Sequence, residues 1–291
     1  MIELRPLQQF LAVAELLHFG RAAERLHMSQ PPLTQAVRKL EAQLGVQLFE
    51  RSSRSVRLTA AGAALQMSGQ KLLAEAAALP AEVRAVADGM AGRLRLAFVS
   101  TVGFGGLPLW LRSFREACPE VALALREATM DVQLLDFASG AIDAGFVIHT
   151  PGNAPAGFER LSIGVEPLVL ALPKSDAKPS DTQCLAAPLV IFPREVAPSL
   201  YDAILAHHGS AGVAQHAIQM QTIINLVSAA IGVAWVPASL QGLQRAGVVY
   251  RAMPGAPAVE TSLLWRGDAP PVVARFVEHV ENARRHPAAL A

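Results

Sequence analysis

The sequence has few of the residues on which covalent, redox or metal chemistry depends. Its 291 residues include only two cysteines, Cys118 and Cys184, which are too few and too far apart for a disulfide or metal framework. No GxSxG elbow is present, and the cluster at 103–106 lacks the third glycine of a dinucleotide fingerprint, with Pro108 in its place. We therefore expect buried free thiols, no metal, no cofactor and no enzymatic activity.

Long apolar runs and a charge excess of one sign are missing too. No apolar run reaches the roughly 18 residues that a bilayer-spanning helix needs, and Glu3 and Arg5 do not fit a signal peptide. This pattern predicts a cytoplasmic protein with no membrane partner. The formal net charge is +1, but residues 1–60 contain eight basic and five acidic side chains. The positive excess therefore lies where phosphate contacts are predicted below.

A helix-turn-helix pattern occupies residues 18–59. Residues 21–26 predict one short helix, and a tight turn separates it from a second helix. Ser29 is a good N-cap for that second helix, and Pro31 and Pro32 fall in its first turn, where a missing backbone N–H costs little. Apolar side chains at helical spacing would bury one face of it: Leu33, Val37, Leu40 and Leu44.

The opposite face of the second helix is polar and suits a DNA major groove. Amides pair with adenine, a guanidinium pairs with guanine or phosphate, and a threonine methyl can touch a thymine methyl. This face carries Gln30, Thr34, Gln35, Arg38 and Gln43. Downstream, two short apolar segments flank Arg51, Ser52, Ser53 and Arg54, which predicts a hairpin wing with a basic tip. An ordinary helical hairpin with a solvated polar face is the alternative.

The N-terminal run LRPLQQFLAVAELLHFGRAAERLHMSQPPLTQAVRKLEAQLGVQLFERSSRSVRLTAAG resembles the DNA-binding domain of LysR-type transcriptional regulators. A looser resemblance continues through GRLRLAFVSTVGFGGLP, GAIDAGFVI and LVSAAIGVAWVPAS, and it favours the benzoate and muconate regulators of aromatic catabolism. The resemblance implies a homodimer or homotetramer that binds a dyad-symmetric double-stranded DNA site and acts with RNA polymerase. The DNA-binding candidates are Ser29, Gln30, Pro31, Pro32, Thr34, Gln35, Arg38, Arg51 and Arg54.

The expected fold is an all-α winged helix-turn-helix at 1–59, a dimerising linker helix and hinge at 60–92, and an α/β effector domain at 93–291. Strands and helices alternate after residue 93, which predicts a mainly parallel sheet, with one strand at 218–221. By resemblance, the effector domain has two lobes like a periplasmic binding protein. Lobe one would comprise about 93–161 and 266–291, and lobe two about 162–265.

The carboxyl end of the first effector-domain strand predicts a ligand site, because crevices form there in open α/β sheets. Ser100, Thr101, Val102 and Phe104 follow that strand, with hydroxyls for a carboxylate and a ring for an apolar wall. A hydroxyl-capped helix without a ligand is the alternative. The family alignment adds Thr129, Met130, Ile148, Pro198, Ser199, Leu200 and Gln221.

Two positions depart from the family pattern. Met130 stands where catabolic relatives often carry a hydroxyl, and a thioether is a poor acceptor, so the effector is expected to be more apolar or a monocarboxylate. Gln35 stands where many members carry arginine, so one base pair of the half-site is expected to differ.

The sequence thus predicts a regulator that responds to a small, anionic effector, an aromatic or dicarboxylic acid, bound between two lobes. One alternative is a small-molecule-binding or enzymatic α/β protein whose N-terminal helices serve only for assembly. Another is a DNA-binding family member whose pocket is vestigial.

Overall fold

The computed structural model describes residues 3–52, 55–175, 179–209 and 211–285. The chain divides into two compact units, residues 1–84 and 85–291. The division falls inside a long helix, and each unit is described by itself.

The first unit has three helices, a two-stranded hairpin and a long helix. Its elements are α1 (Leu4–Leu16), α2 (Phe19–Arg25), α3 (Gln30–Leu44), β1 (Phe49–Arg51), β2 (Val56–Leu58) and α4 (Ala60–Ala87). The antiparallel pairing of β1 with β2 forms the predicted wing, with Glu50 opposite Arg57. Pro80 lies within α4 and does not end it.

Apolar residues spaced by three and four meet at the centre of the first unit. Phe10, Leu33 and Val37 are fully buried there. The ring of Phe49, from the wing, lies 5.3 Å from that of Phe10 and 5.7 Å from that of Phe19. The wing is therefore anchored in the same core that orients α3.

Helical spacing predicts an apolar stripe on α1, but one of its residues is not in this core; the stripe consists of Leu7, Phe10, Leu11, Ala14 and Leu17. Leu17 is 45% exposed, because it ends α1 in the left-handed conformation with φ of 46°. The sequence prediction was wrong here, since a stripe drawn at helical spacing assumes that the helix continues.

Gly62, in the first turn of α4, allows that helix to approach the chain before the wing. A Cβ at this position would lie 2.1 Å from the Leu48 carbonyl oxygen and 2.9 Å from Cδ2 of Leu58. Alanine normally stabilises a helix by about 1 kcal/mol relative to glycine. Here the sign is reversed, because the nearest atom belongs to the backbone and cannot rotate away.

We therefore expect Gly62→Ala to destabilise the protein by about 1–3 kcal/mol through overpacking. Gly69→Ala, in the same helix, is the matched control, because its Cβ would meet the flexible Leu7 side chain at 2.8 Å. Urea unfolding followed by far-ultraviolet circular dichroism measures both. Equal transition midpoints for the two variants would contradict the steric argument.

The second unit combines a seven-stranded sheet with a separate strand pair. Its helices are α5 (Leu107–Ala117), α6 (Met130–Ala138), α7 (Asp181–Leu185), α8 (Pro198–His208), α9 (Met220–Ser228) and α10 (Pro271–Arg285). Its strands are β3 (Ala91–Phe98), β4 (Glu120–Glu127), β5 (Ala144–His149), β6 (Glu159–Pro173), β7 (Leu189–Ile191), β8 (Val213–His216), β9 (Ala234–Pro237), β10 (Val248–Arg251) and β11 (Ala258–Trp265).

The large sheet is mixed, which corrects the prediction of a mainly parallel one. Its order is β10-β6-β11-β5-β3-β4, with β9 also paired to β6. Only β3 pairs in parallel, with β4 and β5, whereas β11 and β6 are antiparallel to their neighbours. The alternation rule fails here because two strands cross back through the sheet instead of following a helical crossover.

These crossing strands join two lobes. The first lobe contains β3–β5 with α5, α6 and α10, and the second contains β7–β10 with α7–α9. β6 pairs with β11 through its first part and with β9 and β10 through its last part. It therefore runs through the lobe boundary expected near residue 161.

The predicted strand at 218–221 was wrong. The strand of this region is β8, which ends at His216, and α9 already begins at Met220. A short apolar run does not distinguish a strand from the first turn of a buried helix. Because of this error, the sequence prediction omitted Ile218, Gln219 and Met220 from the ligand cleft described below. Both cysteines are buried free thiols, as predicted.

Candidate DNA-binding surface and ligand cleft

The polar face of α3 is presented to solvent. Five residues that the sequence identified line one open depression on this surface: Gln30, Pro31, Thr34, Gln35 and Arg38. Thr34 donates its hydroxyl hydrogen to the Gln30 carbonyl at 3.1 Å, so its methyl and its lone pairs remain for a partner. Pro32 and Ser29 are exposed beside them. Ser29 is the N-cap of α3, but its hydroxyl makes no capping hydrogen bond.

The wing is tied to α3 through Glu41, which is 3% exposed. One carboxylate oxygen accepts hydrogen bonds from the backbone N–H groups of Leu48 at 3.0 Å and Phe49 at 3.3 Å. The other accepts from the Arg51 guanidinium at 2.7 Å, and that guanidinium also lies 4.9 Å from the centre of the Phe19 ring. Arg51 therefore lies at the end of β1 next to the turn, but its guanidinium is held by Glu41 rather than free.

The tip of the wing is only partly described. The backbone N–H of Ser55 donates to the Ser52 hydroxyl at 3.0 Å, which closes the turn. Arg54, a predicted phosphate contact, lies outside the described residues. Arg57 is exposed on β2 and was not among the predicted contacts, although its place in a basic hairpin was a usable signal.

A small cavity of about 40 Å³ lies in the second unit, between its two lobes. The first lobe contributes the carboxyl ends of its three parallel strands. Its lining residues are Val99, Ser100, Thr101, Glu127, Ala128, Thr129, Met130 and Ile148. The second lobe contributes Phe192, Val196, Ala197, Ile218, Gln219 and Met220.

Three helices begin at this cavity without a side-chain cap. Thr129 is the N-cap residue of α6, Ala197 that of α8 and Gln219 that of α9, and none of them makes a side-chain capping hydrogen bond. Unpaired N–H groups and the helix dipole make such N-termini favourable for anions. All three N-cap residues line the same cavity.

Thr101 adds a side-chain donor. Thr101 is 8% exposed, and its hydroxyl oxygen is buried with no hydrogen-bond partner. Buried polar groups in proteins are nearly always paired, so an orphan hydroxyl in a cavity indicates a ligand or water site. No lysine, arginine or histidine is among the described residues that line the cavity. Neutral donors would therefore have to bind an anion there.

Five of the eleven effector residues named from the sequence line the cavity: Ser100, Thr101, Thr129, Met130 and Ile148. The others lie elsewhere. Val102 and Leu200 are buried in the core, Phe104 is 43% exposed, and Gln221 is exposed on α9. Pro198 follows the lining residue Ala197, and the Ser199 hydroxyl accepts from the Thr150 backbone N–H at 3.4 Å across the lobes.

Sequence reasoning missed the second-lobe wall formed by Phe192, Val196, Ile218, Gln219 and Met220. Gln219 is the position immediately before a helix, and that signal was hidden by the incorrect strand at 218–221.

A buried polar network lies beside the cavity, where the lobes join. His149 is fully buried, with one ring nitrogen 2.8 Å from the Thr150 carbonyl and the other 3.0 Å from the Ser262 hydroxyl. Glu260, opposite His149 in the β5–β11 ladder, is 6% exposed. Desolvation opposes its ionisation, but hydrogen bonds from Ser162 and the Gly152 N–H, with the nearby His149 and Arg160, hold the pKa of Glu260 below its ordinary value.

Comparison with known families accounts for both units. Residues 4–63 match the model of bacterial regulatory helix-turn-helix proteins of the lysR family, and residues 87–285 match that of the LysR substrate binding domain. Within the described residues, no helix is long and apolar enough to cross a bilayer.

Relatives and solved structures agree with these matches. The chain is 44% identical to the HTH-type transcriptional regulator IlvR of Caulobacter vibrioides, over 92% of this chain and 93% of that protein. It is 34% identical to the regulator TcbR of Pseudomonas sp. strain P51, over 98% and 100%. Full-length CbnR complexed with its target DNA superposes with a TM-score of 0.81 at 33% identity, over 97% and 100% of the two chains. The chain therefore belongs to the LysR family of DNA-binding transcriptional regulators, which are not enzymes, and carries that family's effector-binding domain.

Proposed function

We propose that this regulator responds to a small organic acid bound in the cavity between its two lobes. The observation that carries the proposal is the orphan hydroxyl of Thr101 in a cavity on which three uncapped helix N-termini converge. Together they form a site of neutral donors for an anion. Apolar side chains of both lobes form the remaining walls.

The size of the cavity implies movement. This volume of about 40 Å³ is well below the roughly 300–1,000 Å³ that pockets for small organic ligands usually have. The lobes must separate for a ligand to enter, with β6 and β11 as the connecting strands. A ligand whose affinity differs between two arrangements of the lobes shifts the population toward the one that it binds more tightly, and this difference is what can alter transcription.

A thermal-shift panel tests this proposal with the full chain. The acids are hexanoate, adipate, benzoate and terephthalate, with hexanol as a neutral control. A ligand that binds only the folded state raises the melting temperature by mass action. We expect at least one acid to raise it and hexanol to leave it unchanged. No response to any acid at millimolar concentration would contradict an acid-binding cleft.

We further propose that the exposed polar face of α3 reads base edges, with Gln30 at its N-terminal end. A bidentate amide contact with adenine contributes about 1–3 kcal/mol of discrimination. Gln30→Ala is therefore expected to weaken binding to a genomic fragment selected by the unaltered protein, while binding to random DNA changes little. Gln8→Ala, on the exposed side of α1, is the control.

Electrophoretic mobility shifts at one fixed salt concentration measure this difference, because salt alone changes affinity for DNA. Equal losses on selected and random DNA would assign Gln30 to the phosphate backbone instead.

Unpartnered apolar faces support assembly as a homodimer or homotetramer. On α4, Met67 is 75% exposed, Val83 67%, and Leu79 and Val86 55% each. A second groove, between α5 and the edge strand β4, includes Leu111, Leu123 and Leu125. Pairing through α4 would place two α3 helices for a dyad-symmetric site. While bound to DNA, the assembled regulator would act through contact with RNA polymerase.

A further inference from the structure

We infer that the cleft selects monocarboxylates over dicarboxylates, with Glu127 as the residue that rejects a second negative charge. The inference rests on the proposed function, because it concerns the same cavity.

The charges around the cavity sum to about half an elementary positive charge, which favours at most one bound anion. Each helix N-terminus carries roughly half an elementary positive charge, so α6, α8 and α9 together supply about one and a half. The first residue of α8 is Pro198, which has no N–H to donate. Glu127 lines the cavity and subtracts one full charge, and no basic side chain among the described lining residues offsets it. The remainder favours one carboxylate and not two.

Glu127 is uncompensated. It is the last residue of β4, it is exposed, and no ion pair in the described part of the chain involves it. Its neighbour Arg126 is paired instead with Asp136, at 2.6 Å. The negative charge of Glu127 therefore acts on the cleft without a local cation to cancel it.

The rest of the wall is apolar and suits the other end of such a ligand. Phe192 and Met220 of the second lobe are 6% and 5% exposed, and Ile218 presents a 54% exposed aliphatic side chain at the cleft. Met130 continues this surface on the first lobe and supplies no donor. A carboxylate at the Thr101 hydroxyl would therefore direct an aliphatic or aromatic tail toward these side chains.

Two matched pairs of acids test the selectivity. Hexanoate and adipate have the same number of carbons and differ by one carboxylate, as benzoate and terephthalate differ by one carboxylate on the same ring. Titration calorimetry with the full chain is expected to show at least tenfold tighter binding of the monocarboxylate in whichever pair binds. Equal or tighter binding of the dicarboxylate would overturn the inference while leaving the proposed function intact.

Substitutions at the two ends of β4 test whether Glu127 causes the selectivity for monocarboxylates. Glu127→Gln removes the charge at the cleft, and Glu120→Gln removes an exposed charge at the other end of the same strand. We expect the first to reduce the ratio of the two dissociation constants at least threefold and the second to leave it unchanged. An unchanged ratio in Glu127→Gln would overturn the role of Glu127. Failure of all four acids to bind would instead refute the proposed function.

Discussion

Replacing Glu41 by alanine is expected to destabilise the DNA-binding unit by about 3 kcal/mol, because it breaks a buried, hydrogen-bonded ion pair. The substitution leaves the Leu48 and Phe49 N–H groups and the Arg51 guanidinium without their acceptor. We take the low end of the usual range for such losses, since the Arg51 side chain is 25% exposed and water can partly solvate it.

Two spectroscopic signals separate the units in this experiment. All three tryptophans, Trp110, Trp235 and Trp265, belong to residues 85–291, so their fluorescence reports on the second unit. The far-ultraviolet helix signal reports on both units. In Glu41→Ala, part of the far-ultraviolet helix signal should be lost at a lower urea concentration than in the unaltered protein. The urea midpoint of the fluorescence transition should not change.

Glu50→Ala serves as the control, because Glu50 is an exposed carboxylate on the wing itself. A midpoint for Glu41→Ala equal to that of Glu50→Ala would show that the wing is held by its apolar contacts alone. Glu41→Ala should also weaken DNA binding, since the wing and α3 would no longer keep a fixed geometry.

Thr101→Val is expected to separate ligand response from DNA binding. Valine keeps the shape of threonine and replaces only the hydroxyl, which has no partner in the structure, by a methyl group. The ligand-free protein should therefore lose no stability. A hydrogen bond to a charged group contributes about 1.5–3 kcal/mol, which corresponds to roughly 10- to 150-fold weaker binding of the acid.

The measurement is the effect of hexanoate or benzoate on melting temperature and on a reporter gene, with DNA affinity measured in the absence of acid. Thr222→Val is the matched control, because Thr222 is exposed on α9 and does not line the cavity. If Thr101→Val responds at the same acid concentration as the unaltered protein, Thr101 does not bind the acid.

The polar surface of α3 could be predicted from residue order because its signals are local. The spacing of Leu33, Val37 and Leu40 defines a buried face of α3, and the polar face follows from the same spacing on the same helix. Capping residues and the two prolines mark where that helix begins. The exposure of Gln30 and Gln35, and the partial exposure of Thr34, thus follow from contacts within a few turns of chain.

Arg51 could not be assigned in this way. A basic residue in a hairpin is equally consistent with a phosphate contact and with an internal ion pair. The choice depends on Glu41, which is ten positions away and reaches the wing only after α3 has packed into the core.

The ligand cleft depends even more strongly on contacts that local sequence does not predict. Thr101 and Thr129 follow strands of one lobe, and strand order alone brings them near each other. Ile218 and Met220 reach them only because β6 and β11 cross between the lobes and return the chain to the cavity. Local sequence specifies helices and their faces through short-range periodicity and capping. The pairing of distant strands specifies which of those faces meet, and no local pattern encodes it because the energy of each such contact depends on both partners being in place.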